Sequence, residues 1–373
     1  MRFGVLNISH NRAGADPAVA LRDWVDVALE VERLGFWSVW TTEHHFASDT
    51  GYRPFGVDPD EYTTVDYDMS PDALTLLAYA AARTSTIRLA TGVTVLHWDH
   101  PLKVAERAAM LDVLSGGRLE LGVGRGLGAR EAQAFAVPVD ADENRRRYEE
   151  AVEILQLAWS GERFSYDGEF FSVPPVTMTP NPGRPAPIFV GSGSLDSAAY
   201  AGARGLPYAT ITWPLLTLAK YREKLDHYRA TAVAAGHDVS DQPLPHFFYM
   251  YCGESDAEAS EVGFHRMQQL QYILENHYEL KRQGAAQMAR LGMGADQDDA
   301  EVVARLARFP VEHHLIGSAD TIAERVRALE DELDLNYCVA ITGFGAMPKE
   351  QSLASLRRFG EHVLPRFAAT PVA

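Results

Sequence analysis

Cysteine is scarce: Cys252 and Cys338 are the two in 373 residues. They are too few for a disulfide framework and do not stand at C-x-x-C spacing, so buried thiols in a reducing compartment are expected. No stretch of roughly 18 apolar residues occurs. The first residues, MRFGVLNISHNRAG, hold an apolar run too short for a signal-peptide core and no small-residue cleavage site. The expectation is a soluble, cytoplasmic protein with no membrane partner. Positive charge is also in short supply: 34 Lys+Arg against 51 Asp+Glu give a net charge of −17. That field repels phosphate backbones and anionic lipid, so no nucleic-acid partner is expected. No G-x-S-x-G, Walker A loop, H-E-x-x-H or Cys/His cluster is present, which argues against serine-hydrolase, P-loop and metal chemistry, and no metal is expected. Internal repeats, low-complexity tracts and Pro/Ser linkers are missing too.

What is present is alternation. The length allows two domains or one large α/β barrel. Short β-branched or aromatic runs alternate with longer segments of helical period, the order of βα units around a parallel sheet. Phe3 to Ile8 reads as a strand and Pro17 to Leu34 as an amphipathic helix with Val19, Trp24, Val27, Ala28 and Val31 at helical spacing, stopped by Gly35. Phe36 to Thr41, Ile87 to Leu96, Arg118 to Gly122, Pro187 to Val190, Tyr208 to Thr212, Phe247 to Cys252 and Asn336 to Ile341 complete eight strands. Helices are expected from Ser70-Pro71-Asp72 onward with Ser70 as N-cap, over Pro101 to Leu114 and over Asp142 to Trp159, and Phe164 to Val173 reads as a surface hairpin. Eight such units favour a (β/α)8 TIM barrel as a single domain over 1–373, with functional residues where strands end and βα loops begin. The aperiodic loop 47–68 is long enough to be functional. A long insertion follows the seventh strand, and 275–310, with its Gly- and Asp-rich stretch, is the expected mobile lid.

Chemistry-bearing residues gather at the strand ends. Glu43-His44-His45-Phe46 follows the second strand, and imidazole is the side chain whose ordinary pKa suits proton transfer near neutrality. The same histidines could simply hydrogen-bond neighbouring loops. Gly122-Val123-Gly124-Arg125-Gly126-Leu127-Gly128 follows the fourth strand, a turn whose N–H groups could surround an anion beside one guanidinium. A tight turn needing positive φ would use the same glycines. The fifth strand ends in Gly191-Ser192-Gly193-Ser194, which opens into a helix; Ser194 suits either a phosphate or a plain N-cap. Two glycine-rich turns, one carrying Arg125, are better explained by a phosphorylated cofactor than by coincidence. Gly92-Val93 interrupts the third strand and marks either a bulge or the close approach of a flat ligand.

Taken together, Met1-Arg2-Phe3-Gly4, Glu43-His44-His45-Phe46, His100-Pro101, Gly117-Arg118, Arg125-Gly126-Leu127 and Gly205-Leu206-Pro207 resemble the bacterial luciferase-like flavin monooxygenase family over essentially the whole chain. The resemblance implies a (β/α)8 barrel binding reduced FMN, supplied by a separate flavin reductase, at the C-terminal mouth. There O2 would add at flavin C4a to give a (hydro)peroxyflavin that oxygenates a small organic substrate, by hydroxylation or Baeyer–Villiger insertion. By the same resemblance His44 is the catalytic base, with Glu43 and His45 shaping its edge. Arg125, with Gly126 and Leu127, meets the FMN phosphate, and Ser192, Gly193 and Ser194 complete the cup. Gly92 and Val93 support the isoalloxazine ring, often through a non-proline cis peptide. A homodimer through the helices beside the second and third strands is implied as well. The departures are Gly124 where luciferase has a reactive cysteine, Asp196 at a hydroxyl position of the cup, which Ser197 would replace, and the extended 47–68 loop; Glu131 holds the family's acidic position. A deazaflavin-dependent oxidoreductase on the same barrel, or a non-catalytic flavin-binding partner subunit, are the alternatives.

Overall fold

The computed structural model describes residues 1–8, 10–12, 16–46, 65–68, 72–126, 129–137, 140–181, 186–191, 193–211, 217–277 and 313–367. Eight parallel strands close into a barrel: β1 (Arg2–Asn7), β3 (Ser38–Thr41), β5 (Arg88–Thr91), β7 (Leu119–Gly124), β10 (Ile188–Gly191), β11 (Tyr208–Ile211), β12 (Pro245–Cys252) and β14 (Tyr337–Thr342). β1 pairs with β14 from Arg2↔Tyr337 onward, and β10 against β7, from Ile188↔Leu121, completes the ring. Alternation along each strand divides the core in two. Val5, Val39, Leu89, Val190, Phe248 and Ala340 face the surrounding helices, while Leu6, Trp40, Ala90, Phe189, Phe247 and Ile341 fill the barrel. The barrel class and the eight strands are therefore as read from the sequence.

The helices start and stop for local reasons. Asp16 accepts the Ala18 N–H ahead of α1 (Pro17–Arg33), and Gly35, at φ +82°, turns the chain out of it. The next helix, α2 (Ala73–Ala81), is capped by Asp72, which accepts the Thr75 N–H at 3.0 Å. The cap is thus not Ser70, which lies outside the described residues with Pro71. His100 Nδ1 accepts the Leu102 N–H ahead of α3 (Pro101–Ser115), and Gly116, at φ +73°, ends it. Among the described residues no helix is long and apolar enough to cross a membrane.

Three features correct the sequence reading. The third strand is not continuous: it breaks at Gly92–Val93, resumes as β6 (Thr94–Val95) and passes into a 3-10 turn, Leu96–Trp98. A six-residue helix, α4 (Ala129–Ala134), precedes α5 (Ala141–Ala158). The end of the 47–68 loop is a strand, β4 (Val65–Asp68), paired antiparallel with β2 (His10–Arg12); residues 47–64 lie outside the described residues. The surface hairpin is β8 (Phe164–Asp167) with β9 (Ser172–Val176). After β10 and β11 come α6 (Leu195–Ala203) and α7 (Leu218–Ala234). The insertion beyond β12 begins with α8 (Asp256–His277) and ends in β13 (Leu315–Gly317), which pairs alongside β12. The expected lid, 275–310, falls almost wholly outside the described residues.

Candidate functional site

The mouth of the barrel is built from the ends of β3, β5, β7 and β10. Past Thr41 the chain leaves β3 and presents the rings of His44 and His45 to two different carboxylates, Glu131 and Glu43. His44 Nδ1 lies 3.8 Å from Glu131 Oε1, and the same oxygen accepts the His45 N–H at 2.9 Å. Glu131 is delivered by α4 and is 2% exposed. Burial pushes its carboxyl upward, but hydrogen bonding and charge from His44 and His45 outweigh that and hold it below the usual range. His45 Nε2 sits 3.3 Å from Glu43 Oε1. Burial raises the Glu43 carboxyl despite that neighbour. The two histidines therefore differ. His45 is walled by aromatic rings, with Phe135 at 4.8 Å and Trp98 at 5.2 Å between centroids, whereas the His44 ring is oriented by a buried anion.

The floor beside them is backbone. Gly92–Val93 is a non-proline cis peptide, and the Gly92 N–H donates to Thr41 O at 2.8 Å, fastening the broken strand to β3. A Cβ on Gly92 would stand 3.3 Å from the Trp40 ring. The Val93 side chain occupies the space that side chains on Gly124 and Gly191 would need: a Cβ on Gly124 would lie 2.5 Å from Val93 Cγ2, and one on Gly191 would collide with Val93 Cγ1. Glycine at 124, in place of a cysteine, thus follows from the seating of Val93.

Arg125 follows the end of β7, among groups that sequence reasoning missed. Asn144 Nδ2 is 3.0 Å from His97 Nε2, which puts the neutral ring's proton on Nδ1, and that buried nitrogen has no hydrogen-bond partner among the described residues. Burial, then the charges of Arg125 and Arg147, push His97 down to about 4. The hydroxyls of Tyr148 on α5 and Tyr200 on α6 are likewise buried and without a partner among the described residues, with their rings 5.8 Å apart. Burial holds both phenols protonated, while Arg125 pulls the Tyr148 pKa the other way. Both tyrosines stand at apolar-face positions of their helices, so the sequence showed them only as core. Ser194 caps α6, accepting the Ser197 N–H at 3.2 Å and donating to Ser197 Oγ at 3.0 Å, and the Asp196 side is exposed. Gly193 is buried in that turn and Gly126, at φ +68°, sits against Trp98. Ser192 and Leu127 lie outside the described residues. Arg125 lies within electrostatic reach of His97 and Tyr148, and Tyr148 is beside Tyr200, so one guanidinium, an imidazole N–H and two phenols without acceptors among the described residues are candidate donors to a phosphate. Among the described residues no group of three or more His, Cys, Asp or Glu could hold a metal ion.

A family model described as luciferase-like monooxygenase matches residues 1–334. The chain belongs to that family. It is 25% identical over 356 residues, 94% of this chain and 91% of the other, to the oxygenase component of the flavin-dependent trigonelline monooxygenase of Acinetobacter baylyi. A crystal structure of a monooxygenase from Streptomyces bottropensis superposes with a TM-score of 0.75 at 28% identity, covering 99% of this chain and all of that one. Over 187 residues, 49% of this chain and 50% of the relative, it is 33% identical to an F420-dependent glucose-6-phosphate dehydrogenase of Kineococcus radiotolerans.

Proposed function

We propose that this protein is the oxygenase component of a two-component monooxygenase that takes reduced FMN from a separate flavin reductase and uses O2 to oxygenate a small organic substrate, by hydroxylation or Baeyer–Villiger insertion. The observation that carries this reading is the donor set of Arg125, His97, Tyr148 and Tyr200 at the same barrel mouth as the Gly92–Val93 floor and the His44–Glu131 pair. Reduced FMN, when bound, supplies the electrons that activate O2. The residues of this chain bind, orient and move protons. Arg125, the unpartnered phenols and the turn Gly193-Ser194 with Ser197 hold the phosphate, and Ser192, Gly126 and Leu127 belong to the same two turns. Gly92 and Val93 offer backbone to the flat ring, with the Val93 side chain turned toward Gly124 and Gly191. Glu131 faces Nδ1 of His44 and fixes the ring, so proton transfer to or from a reactant falls to Nε2. Glu43 and His45 brace that edge.

Further parts of the reading are proposals of the same kind. Exposed Tyr79 on α2 and Met110, Val113 and Leu114 on α3 form an apolar surface suited to a homodimer. Both cysteines are free and buried, which suits a cytoplasmic location. The 47–68 loop and the 275–310 segment would cover the mouth of a single-domain barrel. The relative that uses F420 supports a second reading, a deazaflavin-dependent hydride transfer. Anaerobic binding titrations with FMNH2 and with reduced F420, in competition, separate the two. Preferential binding of FMNH2 is expected; preference for reduced F420, or no affinity for FMNH2, overturns the proposal. Turnover by the isolated chain with a reductase would exclude a non-catalytic partner subunit.

A further inference from the structure

Away from the mouth, one charged side chain is buried with nothing to balance it. Lys224, on α7, is 4% exposed, and among the described residues its Nζ meets no hydrogen-bond partner. It belongs to the buried face of that helix, with Tyr221, Leu225, Tyr228 and Ala232. Opposite lies the outer side of β11 and β12. Tyr208 and Phe248 point into the layer between barrel and helices, so Thr210 and His246, two residues away on each strand, share that side. Thr210 and His246 are register partners across the two strands. The His246 ring stands 4.9 Å from Tyr221 and 4.5 Å from Phe248, and Tyr208 stacks on Tyr228 at 6.0 Å between centroids. Lys224 Nζ is 5.4 Å from the centre of the same Tyr221 ring, and its charge acts on His246. Lys224, Thr210 and His246 therefore meet at one junction. Thr210 Oγ1 and Tyr208 Oη are also buried there without a partner among the described residues.

The chemistry of this junction is one-sided. An ammonium and two hydroxyls offer hydrogens, and the buried imidazole of His246 stays neutral at pH 7. The nearest carboxylate along the helix, Glu223, is exposed and accepts Lys220 Nζ at 2.8 Å instead. Burial pulls the Lys224 pKa from 10.5 down to about 8, with Glu223 and Lys220 acting in opposite directions, so at pH 7 the side chain still carries its charge. A buried charge is tolerated when it is paired and hydrogen-bonded. We propose that a small monovalent anion of the chloride class binds between α7 and the β11–β12 strands, held by Lys224 Nζ, Thr210 Oγ1 and Tyr208 Oη. One negative charge cancels one ammonium, and the two hydroxyls complete its shell. A divalent oxyanion would leave a net charge in the same buried layer and bring four oxygens to three donor groups. The ion ties α7 to the barrel wall, binds the folded chain alone, and is independent of which cofactor the mouth takes.

Thermal unfolding of the full chain at pH 7, with sodium gluconate replaced stepwise by sodium chloride, tests the site. Ionic strength is held fixed, because a chain of net charge −17 gains stability from any salt through screening. The expected result is a melting temperature that rises with chloride by a few degrees and continues to climb as the site saturates, as linkage requires. Lys224→Met should abolish the rise, while Lys220→Met, at an exposed lysine of the same helix, should keep it. No rise in the wild type, or an equal rise in Lys224→Met, overturns the proposal. Should Lys224→Met fail to fold, Thr210→Val is read instead: loss of one hydrogen bond to an anion should raise the chloride concentration needed for a given rise by about tenfold, and an unchanged requirement refutes the site. Crystals grown in sodium bromide locate the ion by its anomalous scattering. A peak in contact with Lys224 Nζ and Thr210 Oγ1 supports the assignment; peaks at exposed side chains alone, an adventitious ion only, contradict it.

Discussion

Replacing Gly124 by alanine tests whether the floor of the site is set by the seating of one valine. The new methyl would lie 2.5 Å from Val93 Cγ2, 3.3 Å from its Cβ and 3.6 Å from Cγ1, all on a single side chain. Ordinary carbon contacts are about 3.5–4.0 Å, so Val93 must retreat by about 1 Å. Overpacking of this kind costs about 1–3 kcal/mol. Alanine also narrows the unfolded ensemble, which returns about 0.4–1 kcal/mol where the native backbone tolerates it, and Gly124 is not among the glycines with positive φ. Gly124→Ala should therefore be destabilised by a net of about 0.5–2 kcal/mol. Val93→Ala removes the obstruction, so the double variant should be more stable than the sum of the two singles by at least about 1 kcal/mol. Urea unfolding of the four proteins measures this coupling. Additivity within about 0.5 kcal/mol would refute the assignment of Val93 as the group that demands glycine.

Other consequences are equally direct. His44→Ala should keep its affinity for FMNH2 while product formation falls by roughly 10²–10⁴-fold, read by steady-state turnover beside a binding titration; unchanged turnover removes its role as base. Arg125→Ala should weaken FMN binding by about 1.5–3 kcal/mol, since a charge-assisted pair to phosphate is lost, and anaerobic titration measures it. Thermal stability should fall as pH drops. Burial, with Lys224 near one and His313 and Arg325 near the other, pushes His246 and His314 down to about 3 from 6.5. The unfolded chain then takes up protons below about pH 6.5 that the folded protein refuses until near pH 3, so stability is lost on acidification across that interval. Melting temperatures between pH 7 and pH 4 check this, and a flat profile there would contradict the buried neutral state.

Much of the barrel was legible because strand faces and helix caps are written locally. Val39 beside Trp40 and Phe248 beside Phe247 show the in–out alternation, and Gly35 and Gly116 mark helix ends through positive φ. The strand-end rule assigns His44, Arg125 and the Ser194 turn to one mouth from the sequence alone. What stayed hidden depends on distant partners. The run Ile87 to Leu96 reads as one apolar strand, since nothing in residue types fixes the peptide geometry at Gly92–Val93. β2 and β4 meet across more than fifty residues, and each is too short to show a period of its own. Tyr148 and Tyr200 occupy apolar helical positions, and only their buried, unpartnered hydroxyls distinguish them from core. Likewise Glu131 becomes a partner of His44 only when α4 folds over the end of β3.

The central claim is that reduced or oxidised FMN binds with its phosphate at Arg125 and its ring against Gly92–Val93. A crystal structure of the FMN complex measures it most directly. The account predicts the phosphate within hydrogen-bonding reach of Arg125, His97 Nδ1 and the Tyr148 and Tyr200 hydroxyls, with the ring edge facing His44. A flavin whose phosphate lies away from Arg125, or whose ring stands clear of Gly92–Val93, would contradict it.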